Sequence, residues 1–163
     1  MIALAADMEG VVDGVVQTLL SPAFADALKK EWEGREVAVR LIYPEVVYDD
    51  EVETPSGYPA AEVIAVEERD NEQSGAEEVD NEVSVQWSIA GDNEQMMARQ
   101  MKRYMRATRR VFRQQRMLPH VQGGPVRVGR VNYGLTSTLR NPTGQGRFVK
   151  TASITLFVQT FGR

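Results

Sequence analysis

Cysteine is absent from this chain, and its 163 residues include one histidine, His120. The first absence removes disulfides, thiolate catalysis and Cys-ligated zinc or iron–sulfur centres, and the second removes any multi-histidine metal site. No apolar run approaches the roughly 18 to 20 residues of a membrane span. The opening MIALAADMEG carries neither a basic leader nor a cleavage pattern. The expectation is a soluble protein made in the cytoplasm, with no membrane partner. Phosphate-loop, dinucleotide and HExxH motifs are missing, as is a nucleophile with a plausible base. No catalysis and no cofactor are therefore expected. Asp49, Asp50, Glu51 and Glu53 lack the DxDxDG spacing of a calcium loop, so no metal is expected either.

The most informative absence is that of carboxylates from the second part of the chain. Residues 1–98 hold all 23 Asp and Glu against 5 Lys and Arg, a balance of −18, whereas residues 99–163 hold 14 Lys and Arg and no acid. The net charge of −4 averages over two opposite halves. Such asymmetry points to charge-driven contact with nucleic acid or with another copy of the chain.

What is present reads as one α+β domain spanning 1–163, since 42% hydrophobic residues are enough for one core and the length is short for two. Met8, Val11, Val12, Val15, Val16, Leu19 and Leu20 recur at helical spacing. Ser21 and Pro22 read as an N-cap and first-turn proline that restart the helix through Phe24, Leu28 and Trp32, and Gly34 ends it. VAVRLI (37–42) reads as a first strand. Residues 44–58 read as a long acidic excursion, and PAAEVIAVEE (59–68) as a strand. A second acidic loop spans 68–81, followed by EVSVQWSIAG, where Val83, Val85, Trp87 and Ile89 alternate with Glu82, Ser84, Gln86 and Ser88. These two strands predict a long hairpin.

Asp92 and Gln95 then suggest a capping box for a helix running to about Arg116. Val126 and Val128 share a parity that Val131, Tyr133 and Leu135 do not, which predicts a β-bulge near Gly129. FVKTASITLFVQTFG (148–162) closes the chain as its longest strand. The order predicts a mostly antiparallel sheet of about five strands, with the N-terminal helix and one long helix packed on one side.

The long helix offers Met97, Met101, Tyr104, Met105, Thr108, Val111 and Phe112 to the sheet. Arg99, Lys102, Arg103, Arg106, Arg109, Arg110, Arg113 and Arg116 project to the other side as a candidate interface. Nine pairs among them lie three or four residues apart, a self-repulsion of about 2 to 4 kcal/mol at low salt. With no acid inside the cluster, the counter-charge has to come from elsewhere. One source is nucleic acid, which arginine suits, although the cluster holds one aromatic, Tyr104, on the apolar side. The other is the acidic loops of a neighbouring copy, meeting the helix head to tail through Asp49, Asp50, Glu51, Glu53, Asp70, Glu72, Glu77, Glu78 and Asp80. Heterologous contacts of that kind can close into rings.

The N-terminal helix, the segment GYPAAEVIAVEE, the hairpin into NEVSVQWSIAG, the helix DNEQMMARQMKRYMRATRRVF and the closing TASITLFVQTFG together resemble the tail terminator (tail completion) proteins of long-tailed, lambda-like bacteriophages. The likeness covers most of the chain as a matter of pattern and length. It implies an α+β structural virion protein that forms a hexameric ring on the tail tube, stops tube growth and docks to the head-tail connector or stopper. It also implies a place in the tail or neck of the virion, reached from the host cytoplasm during assembly, with genomic DNA passing through the pore without sequence-specific binding. Other neck proteins, for head closure or head-to-tail joining, are similar in size and style.

Overall fold

The computed structural model describes residues 6–35, 41–44, 46–49, 57–70, 78–121, 123–134, 137–140 and 146–161. Helix α1 spans Met8–Leu19, started by Asp7, whose side chain accepts the Gly10 N–H at 2.8 Å. Its valine stripe buries Val11, Val12 and Val15. Leu20, expected on that stripe, is instead 61% exposed at the helix end. Helix α2, Pro22–Trp32, restarts at Ser21 and Pro22 as the sequence implies, with a bend of 50° from α1. Gly34 follows it at φ +69, the left-handed geometry that closes a helix and that glycine adopts without a Cβ clash.

The strands are β1 (Val46–Asp49), β2 (Ala60–Asp70), β3 (Glu78–Gly91), β4 (Gly123–Tyr133), β5 (Ser137–Arg140) and β6 (Gly146–Phe161). They form one sheet in the order β1-β2-β3-β6-β4, with β5 pairing the start of β6. Every pairing is antiparallel except that of β1 with β2. The sheet thus has six strands, one more than expected.

Three expectations along this stretch need correction. Of residues 37–42, 37–40 lie outside the described residues, and Leu41 and Ile42 are not in a strand. The first strand is β1, inside the segment expected to be irregular; Val46 to Asp49 pair with Ala60 to Val63. And residues 68–70 and 78–81 are strand rather than loop, paired with one another from Glu68↔Asn81 to Asp70↔Val79. The hairpin is longer than its hydrophobic pattern because ladder hydrogen bonds extend pairing past the point where side chains are buried.

Alternation on β3 follows the sequence: Val83, Val85, Trp87 and Ile89 are buried, and Glu82, Ser84, Gln86 and Ser88 face the other way. Ala152, Ile154, Leu156 and Val158 of β6 stand beside them. The register of β4 on β6 slips between Val128↔Leu156 and Val131↔Ile154, so the bulge lies at Gly129 and Arg130 as expected. Helix α3, Glu94–Gln114, packs on the buried face. Its cap is Asn93, not Asp92: the Asn93 side-chain Oδ1 accepts the Met96 N–H at 3.1 Å. The helix stops two residues short of Arg116.

Trp87 joins the layers. Its ring stacks on Phe24 of α2 at 5.5 Å and on Tyr104 of α3 at 5.1 Å, and its indole N–H donates to the Thr108 hydroxyl at 3.0 Å. Among the described residues no helix covers the opposite face of the sheet.

Candidate functional site

Helix α3 is held from two directions, and the second was not legible in its own sequence. The sheet buries Met97, Met101, Tyr104, Met105, Thr108, Val111 and Phe112, the expected stripe. Helix α2 covers the adjoining flank and buries Ala107 and Arg103 as well. Arg103 was expected to point outward; it is 3% exposed, with its guanidinium 4.9 Å from the centroid of the Trp32 ring. Such a contact replaces part of the hydration that burial removes.

Glu31, on α2, is the in-chain counter-charge. Its carboxylate is 4% exposed. One oxygen accepts from Arg110 at 2.7 Å and the other lies 3.1 Å from Arg106 Nε and 4.0 Å from Arg35. Arg106 and Arg110 were expected to be answered by another molecule, and they are answered, in part, within the subunit. The signal for this was present on α2: Phe24, Ala27, Leu28 and Glu31 form one buried line at helical spacing, so an acid occupies an apolar register. Trp32, Arg35 and Glu31 are site residues that the reading of α3 alone missed.

The result is a trough between α2 and α3, made of two adjoining hollows that share Arg106. One, of about 250 Å³, is lined by Arg35, Arg99, Lys102, Arg103 and Arg106. The other, of about 450 Å³, is lined by Glu31, Arg106, Arg109, Arg110, Arg113 and Gln114. From Arg99 to Arg113 the helix rises about 20 Å. Eight cations and one carboxylate line that length among the described residues. Lys102, Arg109, Arg113 and Arg116 have no ion-pair partner among the described residues.

The expected acidic half of the interface is placed as follows. Asp49 lies on β1, Asp70 on β2, and Glu78 and Asp80 on β3. Asp50, Glu51, Glu53, Glu72 and Glu77 lie outside the described residues. Strand register puts Glu62, Glu67, Glu78, Asp80 and Glu82 on the sheet face away from the helices, with Arg69 the one cation of β2 and β3 there. Arg69 is bound to Glu67 at 2.9 Å, and Glu78 accepts from Gln159 at 2.7 Å. A hollow of about 170 Å³ opens on this face, lined by Glu67, Asp80, Glu82 and Phe157 together with Arg69 and Arg127. Most of the carboxylates of β2 and β3 thus lie behind the sheet, together with Arg69 and Arg127, and the α3 guanidiniums lie on the helical side with Glu31 among them.

No group of three or more His, Asp or Glu among the described residues is arranged to hold a metal ion. Burial pushes the Tyr104 phenol well above its ordinary range, with its hydrogen bond from Gln100 acting the other way. Its hydroxyl donates to the Ile42 carbonyl, which makes it a neutral structural group. No protein-family model matches the chain, and no curated protein matches it.

Proposed function

We propose that the chain is a structural ring subunit of a phage neck, a tail terminator that caps the tail tube and receives the head connector. The observation that supports this reading most is the placement of opposite charges on opposite faces of a two-layer subunit. Within one copy the outward carboxylates of β2 and β3 and the cations Lys102, Arg109 and Arg113 of α3, with Arg116 just beyond it, are kept apart by the sheet and the helical layer. Between copies arranged head to tail they meet, and a repeated heterologous contact closes into a ring when its rotation permits. The resemblance of the helix, hairpin and closing-strand pattern to tail terminators makes that ring a hexamer on the tube, carrying no catalytic activity. DNA passes through its pore without sequence-specific contact.

Arg103, Arg106 and Arg110 have a different job. They hold α3 against α2 through Trp32 and Glu31, and charge reversal there would disturb the subunit itself. The test therefore uses the outer row. Light-scattering mass of the purified chain at about 50 mM salt, alone and with tail tube protein, is expected to give a ring-sized species. Arg109→Glu with Arg113→Glu is expected to return it to monomer with an unchanged melting curve. A wild-type chain that remains monomeric with tube protein present overturns the reading.

A further inference from the structure

The sheet has an open edge on each side, and the two differ in charge. We infer that the edge of β4 pairs, strand to strand, with the open half of β2 in a second copy of the chain, so that the sheet continues from one copy into the next. The contact is made by edges, whereas the ring reading uses the two faces, and it does not depend on that reading.

Strand β1 pairs only with Ala60 to Val63 of β2, so from Ile64 to Asp70 one side of β2 has no neighbouring strand among the described residues. On the other side of the sheet, β4 pairs with β6 and with no further strand among them. Ladder geometry tells which groups β4 presents. The Val126 N–H points away from β6 and donates to the Arg116 carbonyl, whereas the Gly134 N–H points toward β6 and donates to the Thr151 carbonyl at 2.8 Å. Direction alternates along an antiparallel strand, so Val128 before the bulge, and Val131 and Tyr133 after it, turn their N–H and C=O groups outward. Such a row is a template for another strand.

Charge, direction and apolar exposure select the same partner. From 123 to 140 the edge carries Arg127, Arg130 and Arg140 and no acid, whereas the open half of β2 carries Glu67, Glu68 and Asp70 against Arg69. Arg130, Glu68 and Asp70 are exposed and make no ion pair among the described residues. Two β4 edges brought together, or two β2 edges, would set like charges opposite one another and destabilise the pair, while β4 against β2 sets unlike charges opposite. Each step from β2 through β3 and β6 to β4 is antiparallel, so β4 runs opposite to β2. A copy placed alongside without being turned over therefore offers its β4 antiparallel to β2. Val66 and Tyr133, each 53% exposed, put one large apolar side chain in water on either edge. A bulge lies on each as well, at Val66 and at Gly129 and Arg130, and bulges and charges together discourage indiscriminate pairing.

The chain contains no cysteine, so single introduced thiols report the contact without background. Val66→Cys and Tyr133→Cys proteins, mixed and treated with a short bismaleimide, are expected to give a cross-linked dimer of one of each, read by mass spectrometry, with far less from either protein alone. Repeating this with Arg109→Glu and Arg113→Glu also present removes the face contact of the ring reading, and the mixed dimer is expected to remain. Hydrogen exchange of the wild type needs no substitution. The amides of Val128, Val131 and Tyr133 are expected to slow as concentration rises, about tenfold when the chain is at roughly ten times the dissociation constant. Arg130→Glu should return them to the dilute rate, and a partner carrying Glu68→Arg with Asp70→Arg should slow them again. Circular dichroism checks that each variant is folded. Absence of the mixed dimer, equal cross-linking in the mixture and in either protein alone, or exchange at those amides that is independent of concentration overturns the inference, even where a ring still forms. A ring lost while the mixed dimer persists overturns the ring reading alone and supports the edge contact.

Discussion

Glu31 occupies a helix position that would ordinarily hold an apolar side chain, between two guanidiniums of α3 and near a third. Its carboxylate is buried, whereas Arg106 and Arg110 are 44% and 40% exposed, so water screens part of each pair. Glu31→Gln is expected to cost about 1 to 3 kcal/mol in urea unfolding, and added salt should recover part of the loss by screening the cations left facing one another. Tyr104 supplies a second residue-scale prediction. Its phenol is raised by burial, so the folded state holds a proton that the unfolded chain releases near pH 10. The contribution is complete below that pH and is lost as pH rises through the higher folded value. Alkaline melts of the wild type should therefore fall above about pH 10 more steeply than those of Tyr104→Phe. The sequence-level misplacement of Arg103 belongs to this scale too: it lies roughly 140° around the helix from the centre of the apolar stripe, a direction that is solvent on a lone helix and Trp32 in the fold.

At the scale of elements, periodicity was legible wherever one face of a segment is buried. The alternation of β3, the bulge of β4 and the methionine stripe of α3 all follow from side chains that must meet one core. Ends were less legible, because adjacent residues can serve the same role. Asp92 and Asn93 are both good caps, and the one whose oxygen reaches the Met96 N–H takes the position. Asn93→Ala should lower stability by about 1 kcal/mol in thermal unfolding, with Asp92→Ala nearly silent. The short β1 had no clear signal, since four residues pairing in parallel along one edge owe their conformation to β2 and not to their own pattern. The acidic end of β2, exposed from Ala65 to Asp70, looked like a loop because burial ends before hydrogen bonding does.

Over the whole molecule the fold converts a separation along the chain into a separation across it. Contact between copies through screened surface charges is sensitive to ionic strength, with a Debye length of about 10 Å at 0.1 M. The proposed ring is therefore expected to lose mass between about 50 mM and 500 mM salt. Glu67→Arg with Glu82→Arg should abolish it, and mixing that protein with the Arg109→Glu, Arg113→Glu variant should restore mixed assemblies, read by native mass spectrometry. The same mixture also separates a ring from a nucleic-acid binder, whose retention on DNA would follow the α3 substitutions alone.

The α+β class, the hairpin, the long helix with its apolar stripe and the division of the chain into an acidic and a basic part were all legible before folding, because each is written in local spacing or in counts. It took the docking of the helices to show which cations answer to Glu31 and Trp32 and which remain outward, and that Glu62, Glu67, Glu78, Asp80 and Glu82 face away from them behind the sheet. Those outcomes depend on where α2 lies against α3 and on which side of the sheet the helices pack. Such docking is settled by the summed burial of many side chains from distant segments, and no single stretch of sequence carries that sum.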